Sequence, residues 1–298
     1  MDIGEKIKSI RMAKHMTQSE LAGDQITRNM LSLIENGNAL PSLPTVTYIA
    51  DRLGVPMGLL LAGKDEELVY LKLERLPRIK QAFSNGEFRL CADMCRAMLD
   101  LDPESCDDEL LLIMSECHFG MAVDEFNLGK LHSACREFDE ACNYSKKTVY
   151  NSEHIRCSAA VYFDYMRHLS PTLTSEGDND FYNGTAYSVD SFGKYTAVFQ
   201  ALEKGDVQVA EDYVEAALEE EKGFSTHIRA LINIKKGNYK IAAEILSRLL
   251  GSDDLTCRAV TYRIFSDLEE CCREIGDYKN AYEYSVGKME LLEYMLKD

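Results

Sequence analysis

Apolar residues recur at Ile3, Ile7 and Ile10, one side of a helix, with Lys6, Lys8, Arg11 and Lys14 on the other side. This spacing predicts an amphipathic helix over residues 3–14. Thr17-Gln18-Ser19-Glu20 is a capping box, in which the threonine hydroxyl accepts the Glu20 amide and Glu20 reaches back. A short helix, Gln18 to Ala22, follows. Gly23-Asp24-Gln25 is a turn, and Thr27 caps a helix that passes through Met30, Leu31 and Ile34 to Glu35. Gly37, in Asn36-Gly37-Asn38, ends it, because glycine accepts the left-handed C-terminal conformation. Leu40 to Pro44 reads as a loop, Thr45 to Leu53 as a fourth helix and Val55 to Leu61 as a short fifth.

From residue 68 a longer pattern takes over: a glycine, a bulky apolar residue two positions on and a small residue five on. It occurs at Gly86 (Phe88, Cys91), Gly129 (Leu131, Ala134), Gly205 (Val207, Ala210), Gly237 (Tyr239, Ala242) and Gly276 (Tyr278, Ala281). The spacings are 43, 76, 32 and 39 residues, the 76 being close to two units. A period near 34–40 with glycine at a helix–helix turn marks helical-hairpin repeats. Pro171, Gly177 and Gly184 break the helical pattern over 169–184, which reads as a loop in a degenerate repeat. The last helix, about 279–296, reads as a cap. With six prolines in 298 residues and little alternation, the expected fold is all-α. It consists of a five-helix domain over 1–64 and an α-solenoid of helical hairpins over 65–298.

Charge separates the same two regions. Residues 1–64 carry seven Lys/Arg and six Asp/Glu, whereas the remainder carries 26 basic and 44 acidic residues, a net of −18. Phosphate binding needs local positive charge, so contact with DNA belongs to the N-terminal part. The ten cysteines form no C-x-x-C pair. They read as buried reduced thiols, which fits a cytoplasmic protein with no metal and no cofactor. The longest apolar run, Leu53 to Ala62, is too short to span a bilayer. No P-loop, G-x-S-x-G or H-E-x-x-H occurs, and the expectation is that the chain is not an enzyme.

The major groove admits one helix, whose first turns face the base edges. On the helix from Thr27 to Glu35 the outward positions are Thr27, Arg28, Asn29 and Ser32, with Leu31 and Ile34 inward. Arg28 can bond guanine bidentately and Asn29 adenine. Asn36 and Asn38 can hold the backbone.

Thr-Gln-Ser-Glu-Leu-Ala, Ile-Thr-Arg-Asn-Met-Leu-Ser-Leu-Ile-Glu-Asn-Gly, Pro-Ser-Leu-Pro-Thr and Ile-Ala-Asp-Arg-Leu-Gly-Val together resemble the Xre/Cro/phage-repressor helix-turn-helix domain over about 60 residues. The resemblance implies a phosphate contact for Gln18 and binding as a homodimer to two half-sites. The turn departs from the family by being one residue short, with Gln25 at its glycine position. The five glycine motifs resemble the tetratricopeptide repeat. In that frame the inward positions are Phe119 and Val123, Tyr195 and Phe199, His227 and Leu231, and Ser266 and Glu270, with Arg263 nearby. They describe an aromatic and apolar groove for a short peptide. No acidic or cysteine partner follows His227 at metal-ligand spacing. The whole architecture resembles the peptide-responsive regulators of Gram-positive bacteria of the PlcR, PrgX and Rgg type. That implies a transcription regulator whose repeat domain dimerises and binds a signalling peptide. The alternative is a repeat domain that binds a protein, such as a response regulator or antirepressor.

Overall fold

The structure is a computed structural model that describes residues 2–101, 107–170, 190–218, 221–255 and 257–297; it does not describe the side chains of 64–67. The described residues form sixteen helices and no strand. The chain divides into two compact units, one spanning Met1–Gln81 and Asp100–Asp102, the other Ala82–Leu99 and Pro103–Asp298.

The first unit begins with α1 (Ile3–Ala13), α2 (Gln18–Ala22), α3 (Arg28–Glu35), α4 (Leu43–Leu53) and α5 (Met57–Leu61). Its core is the apolar set the periodicity picks out, with Ile7, Leu21, Leu31, Ile34, Ile49, Leu53 and Leu60 all buried. Both predicted caps are present: Thr17 accepts the Glu20 amide, and the Thr27 hydroxyl accepts the Met30 amide at 3.1 Å. Helix α4 starts two residues earlier than its pattern indicates. Ser42 supplies the cap to the Thr45 amide (3.4 Å), and Pro44 sits in the first turn, where its missing N–H costs nothing. Helix α5 starts two residues later than read, after Pro56. The Val55 amide is used to close α4, donating to the Ala50 carbonyl at 3.0 Å.

Helix α6 (Lys64–Ser84) leads to α7 (Phe88–Leu99), α8 (Asp108–Asn127), α9 (Leu131–Ser145), α10 (Glu153–Leu169), α11 (Ser191–Glu203), α12 (Val207–Ala216), α13 (Lys222–Lys235), α14 (Tyr239–Leu250), α15 (Arg258–Glu274) and α16 (Tyr278–Met295). Gly86, Gly129, Gly205, Gly237 and Gly276 each stand between two helices at φ between 75° and 95°. Each turn has the same pair of bonds. The glycine amide returns three residues and the next amide five, as from Gly129 to Phe126 and Lys130 to Glu125, both 2.9 Å. This is the Schellman closure of a helix end. Helix α10 lies in the 76-residue interval, so the degenerate repeat has a helix. It runs to Leu169, and the rest of the predicted loop lies outside the described residues.

The hairpins α11–α12, α13–α14 and α15–α16 pack in succession, α10 packs between α8–α9 and α11, and α15 also packs on α8. The Tyr165 hydroxyl of α10 donates to the Ala259 carbonyl of α15 at 3.2 Å. The stack therefore returns on itself, and one continuous apolar core runs from Ala122 to Met295. Eight of the nine described cysteines are buried, and none of the nine is in a disulfide. Burial pushes the Cys142 thiol up to about 11, as expected of inert packing residues. Among the described residues no helix is long and apolar enough to cross a membrane.

The turns differ in what surrounds them, which gives a paired test. A Cβ at Gly237 meets nothing within 4 Å, whereas one at Gly129 meets Arg258 and Met295 at 3.1 Å. Gly237→Ala should therefore cost only the left-handed penalty, about 1–2 kcal/mol. Gly129→Ala should cost distinctly more in urea unfolding of the whole chain.

Candidate functional site

Helix α3 presents its two sides unequally. Leu31, Ile34 and Glu35 are buried, Arg28, Asn29 and Asn36 are exposed, and Ser32 is half-buried. Thr27 is the N-cap, so its hydroxyl is engaged with the Met30 amide. Asn36 is the C-cap, and its amide nitrogen lies 3.5 Å from the Ser32 hydroxyl. Arg28 and Asn29, in the first turn, make no side-chain hydrogen bond or ion pair among the described residues.

What aims this helix is Glu35. Its carboxylate is almost wholly buried. It accepts from Arg11 Nε at 2.6 Å and Arg11 Nη2 at 3.0 Å, and from Gln18 Nε2 at 2.8 Å. Arg11 also donates to the Met16 carbonyl at 2.8 Å. One buried ion pair thus joins α1, α2, α3 and the α1–α2 loop. Burial alone would raise the Glu35 carboxyl. The hydrogen bonds from Arg11 and Gln18, with the charges of Arg11 and Lys8, outweigh it and hold the group below its ordinary value. Gln18 keeps one amide hydrogen beyond the bond it gives Glu35.

The polar side read for α1 needs correction. Lys8 and Lys14 are exposed, but Arg11 is committed to Glu35. Lys6 is buried, with its ammonium 2.6 Å from the Ala62 carbonyl and 3.5 Å from that of Leu59. It satisfies the carbonyl end of α5, which favours a cation. The short turn after α2 is closed by Gly23 at φ 56°, ψ −139°. A Cβ there would collide with the Tyr48 hydroxyl, which itself donates to the Ala22 carbonyl at 3.0 Å.

In the repeat unit, seven of the residues read as a peptide groove separate into two kinds. Tyr195, His227 and Leu231 are buried, at 1%, 0% and 8% exposure. They lie in the core of the repeat unit, where the first helices α11, α13 and α15 pack on one another. Phe119, Phe199 and Arg263 are half-buried and Glu270 is exposed. Four of the seven form one chain of contacts across three hairpins. The Tyr195 hydroxyl lies 2.9 Å from His227 Nδ1, and His227 Nε2 lies 2.7 Å from Asp267 Oδ2. Arg263 reaches Asp267 at 3.7 Å and Glu203 at 3.5 Å, with its guanidinium 4.5 Å from the Phe199 ring centre. Burial holds the Tyr195 hydroxyl well above its ordinary value. Donation from it to Nδ1, and from Nε2–H to Asp267, satisfies all three groups with one tautomer. Asp267 went unseen in the sequence because it lies 40 residues from its partner. Phe119 stands apart, against Phe138 and Tyr162 at ring distances of 5.6 and 6.1 Å. Among the described residues, no three His, Cys, Asp or Glu side chains gather as a metal site requires.

Residues 7–60 match the Helix-turn-helix family. The first unit contains a helix-turn-helix DNA-binding domain. In this domain α2 and α3 are the two central helices. No curated protein sequence matches the chain. Among solved structures it is similar to Bacillus thuringiensis PlcR in complex with the peptide PapR7 and DNA, at 14% identity over 100% of this chain and 99% of that one, with a TM-score of 0.23. It is similar to ComR from S. thermophilus in complex with DNA and its signalling peptide ComS, at 18% identity over 97% and 99%, TM-score 0.26. It is also similar to the Streptococcus dysgalactiae SHP pheromone receptor Rgg2, at 12% identity over 97% and 99%, TM-score 0.20. Scores this low do not describe superposable backbones.

Glu35→Gln leaves the Arg11 guanidinium without its counter-charge in the core of the helix-turn-helix domain. It should destabilise that domain by about 3 kcal/mol. Because the folded carboxyl is depressed, its contribution is complete above the unfolded value of about 4.3. It is lost as pH falls through the lower folded value. Wild-type and Glu35→Gln melting temperatures should therefore differ at neutral pH and converge in acid.

Proposed function

We propose that this chain is a dimeric transcription regulator that reads double-stranded DNA with α3, its output set by a short peptide taken up by the repeat unit. The observation that carries the DNA reading is the exposed pair Arg28 and Asn29 on the first turn of a helix whose orientation is fixed by the buried Glu35. Their guanidinium and carboxamide match the edges of guanine and adenine. Thr27, Ser32 and Asn36 flank them on the same helix, and Gln18 at the start of α2 is placed for a phosphate. The charge distribution supports this, because the acidic repeat region repels DNA and leaves the contact to the near-neutral first 64 residues. A single α3 offers few contacts, which favours two copies on half-sites one helical turn apart.

For the peptide, support comes from the accessible rim of the polar chain. Phe199, Arg263 and Glu203 offer an aromatic face and both charges, Glu270 is exposed on the same helix as Arg263, and Arg263 connects that rim to buried Asp267, His227 and Tyr195. A ligand that draws Arg263 away from Asp267 would alter how α11, α13 and α15 hold together.

The burial of Tyr195, His227 and Leu231 favours a second reading as well. With the interior of the stack filled, a protein partner would meet an outer face. Helix α16 exposes Tyr278, Tyr282, Val286 and Met289 along one side.

Arg28→Ala should weaken binding to a duplex enriched from a random library by about 1–3 kcal/mol and relax one base position. Unchanged affinity and preference would remove Arg28 from the reading surface. For the repeat unit, a collection of short apolar peptides screened by melting temperature on the full chain should yield a stabiliser whose effect is lost in Arg263→Ala. A screen with no stabiliser favours the protein-binding reading.

A further inference from the structure

The exposed side of α3 carries an apolar residue that lies between two asparagines along the helix axis. At 3.6 residues per turn, Asn29, Leu33 and Asn36 fall within about 60° of arc, opposite the buried Leu31, Ile34 and Glu35. Leu33 is 46% exposed, and the two asparagines flanking it are exposed too. The core below is complete without Leu33, so packing does not account for a leucine there.

We infer that Leu33 is a specificity residue that reads a thymine through its 5-methyl group. The inference rests on the reading of α3 as the DNA-facing helix. The floor of the major groove is made of hydrogen-bond donors and acceptors, and its characteristic apolar group is the thymine methyl. A leucine pressed against guanine, cytosine or adenine edges would strip water from polar atoms and offer them nothing. Against a thymine methyl, both surfaces leave water together. Leu33 sits one helical turn beyond Asn29, about 6 Å along the axis. This is under two base steps of 3.4 Å. The thymine should therefore lie one or two base pairs from the position that Asn29 reads. The recognition code of this chain is then mixed: hydrogen bonding at Arg28 and Asn29, and methyl contact at Leu33.

The test uses the full chain and a duplex enriched from a random library. Each thymine is replaced by deoxyuridine in both half-sites, which deletes the methyl and keeps the hydrogen-bonding edge. Affinity is measured by fluorescence anisotropy for wild type, Leu33→Ala and Asn29→Ala. Deletion of a methyl contact is worth about four-fold per half-site, so about fifteen-fold for the pair. Wild type should lose that much at one thymine position, within two base pairs of the position relaxed by Asn29→Ala. Leu33→Ala should bind the methylated and unmethylated duplexes equally. The inference is overturned if no thymine matters by more than two-fold, or if the methyl effect persists in Leu33→Ala. It is also overturned if Leu33→Ala alters the oligomeric state and leaves base preference intact, which would assign the leucine to a protein contact. Failure to enrich any duplex with folded protein would sink the DNA reading itself, a result distinct from all of these.

Discussion

A buried carboxylate fixes the geometry of the helix-turn-helix domain. Glu35 lies at the end of α3, where a bare negative charge would oppose burial. Arg11 answers it with two hydrogen bonds, and Gln18 adds a third. The cost of taking two charges out of water is met by the bidentate geometry of Arg11 on α1 and by a third donor, Gln18, on α2. Helix α3 is too short to be stable alone. Its angle to α1 and α2 is set by this pair and by the apolar contacts of Leu31 and Ile34. Everything on its outer side, from Arg28 to Leu33, inherits its position from that bracing.

The repeat unit obeys a different constraint, carried by backbone conformation. Five glycines with positive φ close five helices by the same pair of hydrogen bonds. Each closure reverses the chain within three residues, which lets successive helices pack as hairpins. Because α15 returns to α8, the unit is a filled coil of helices. Aromatic rings occupy its interior, and a Tyr195–His227–Asp267 chain crosses three of its hairpins. Buried polar chains of this kind are satisfied only in one arrangement. A change at Arg263, where the chain reaches the surface, is thereby coupled to the packing of α11, α13 and α15.

The features readable from sequence were those set locally. Thr17 and Thr27 announce helix starts because the cap and its amide lie three residues apart, and the turn glycines announce ends because few other residues accept that φ. The recognition helix follows from both. What sequence did not reveal depended on distant partners. Lys6 and Arg11 look like solvent-facing cations until Ala62 and Glu35, 56 and 24 residues away, claim them. Asp267 is invisible as the partner of His227 for the same reason. Tyr195 and Leu231 fall at inward positions of an open repeat, and the closure of the stack turns those positions into core. Leu33 is apolar and carries no hydrogen-bonding signal in the sequence, although its exposure follows from the same helical arc that selects Asn29.

Two copies of a rigidly braced α3 are proposed to read one specific duplex. Sequencing the duplexes that full-length protein enriches from a random library tests this most directly. The enriched sequence should be two-fold symmetric, with half-sites about 34 Å apart, one helical turn. Enrichment of a single asymmetric site, or no enrichment by folded protein, would contradict it.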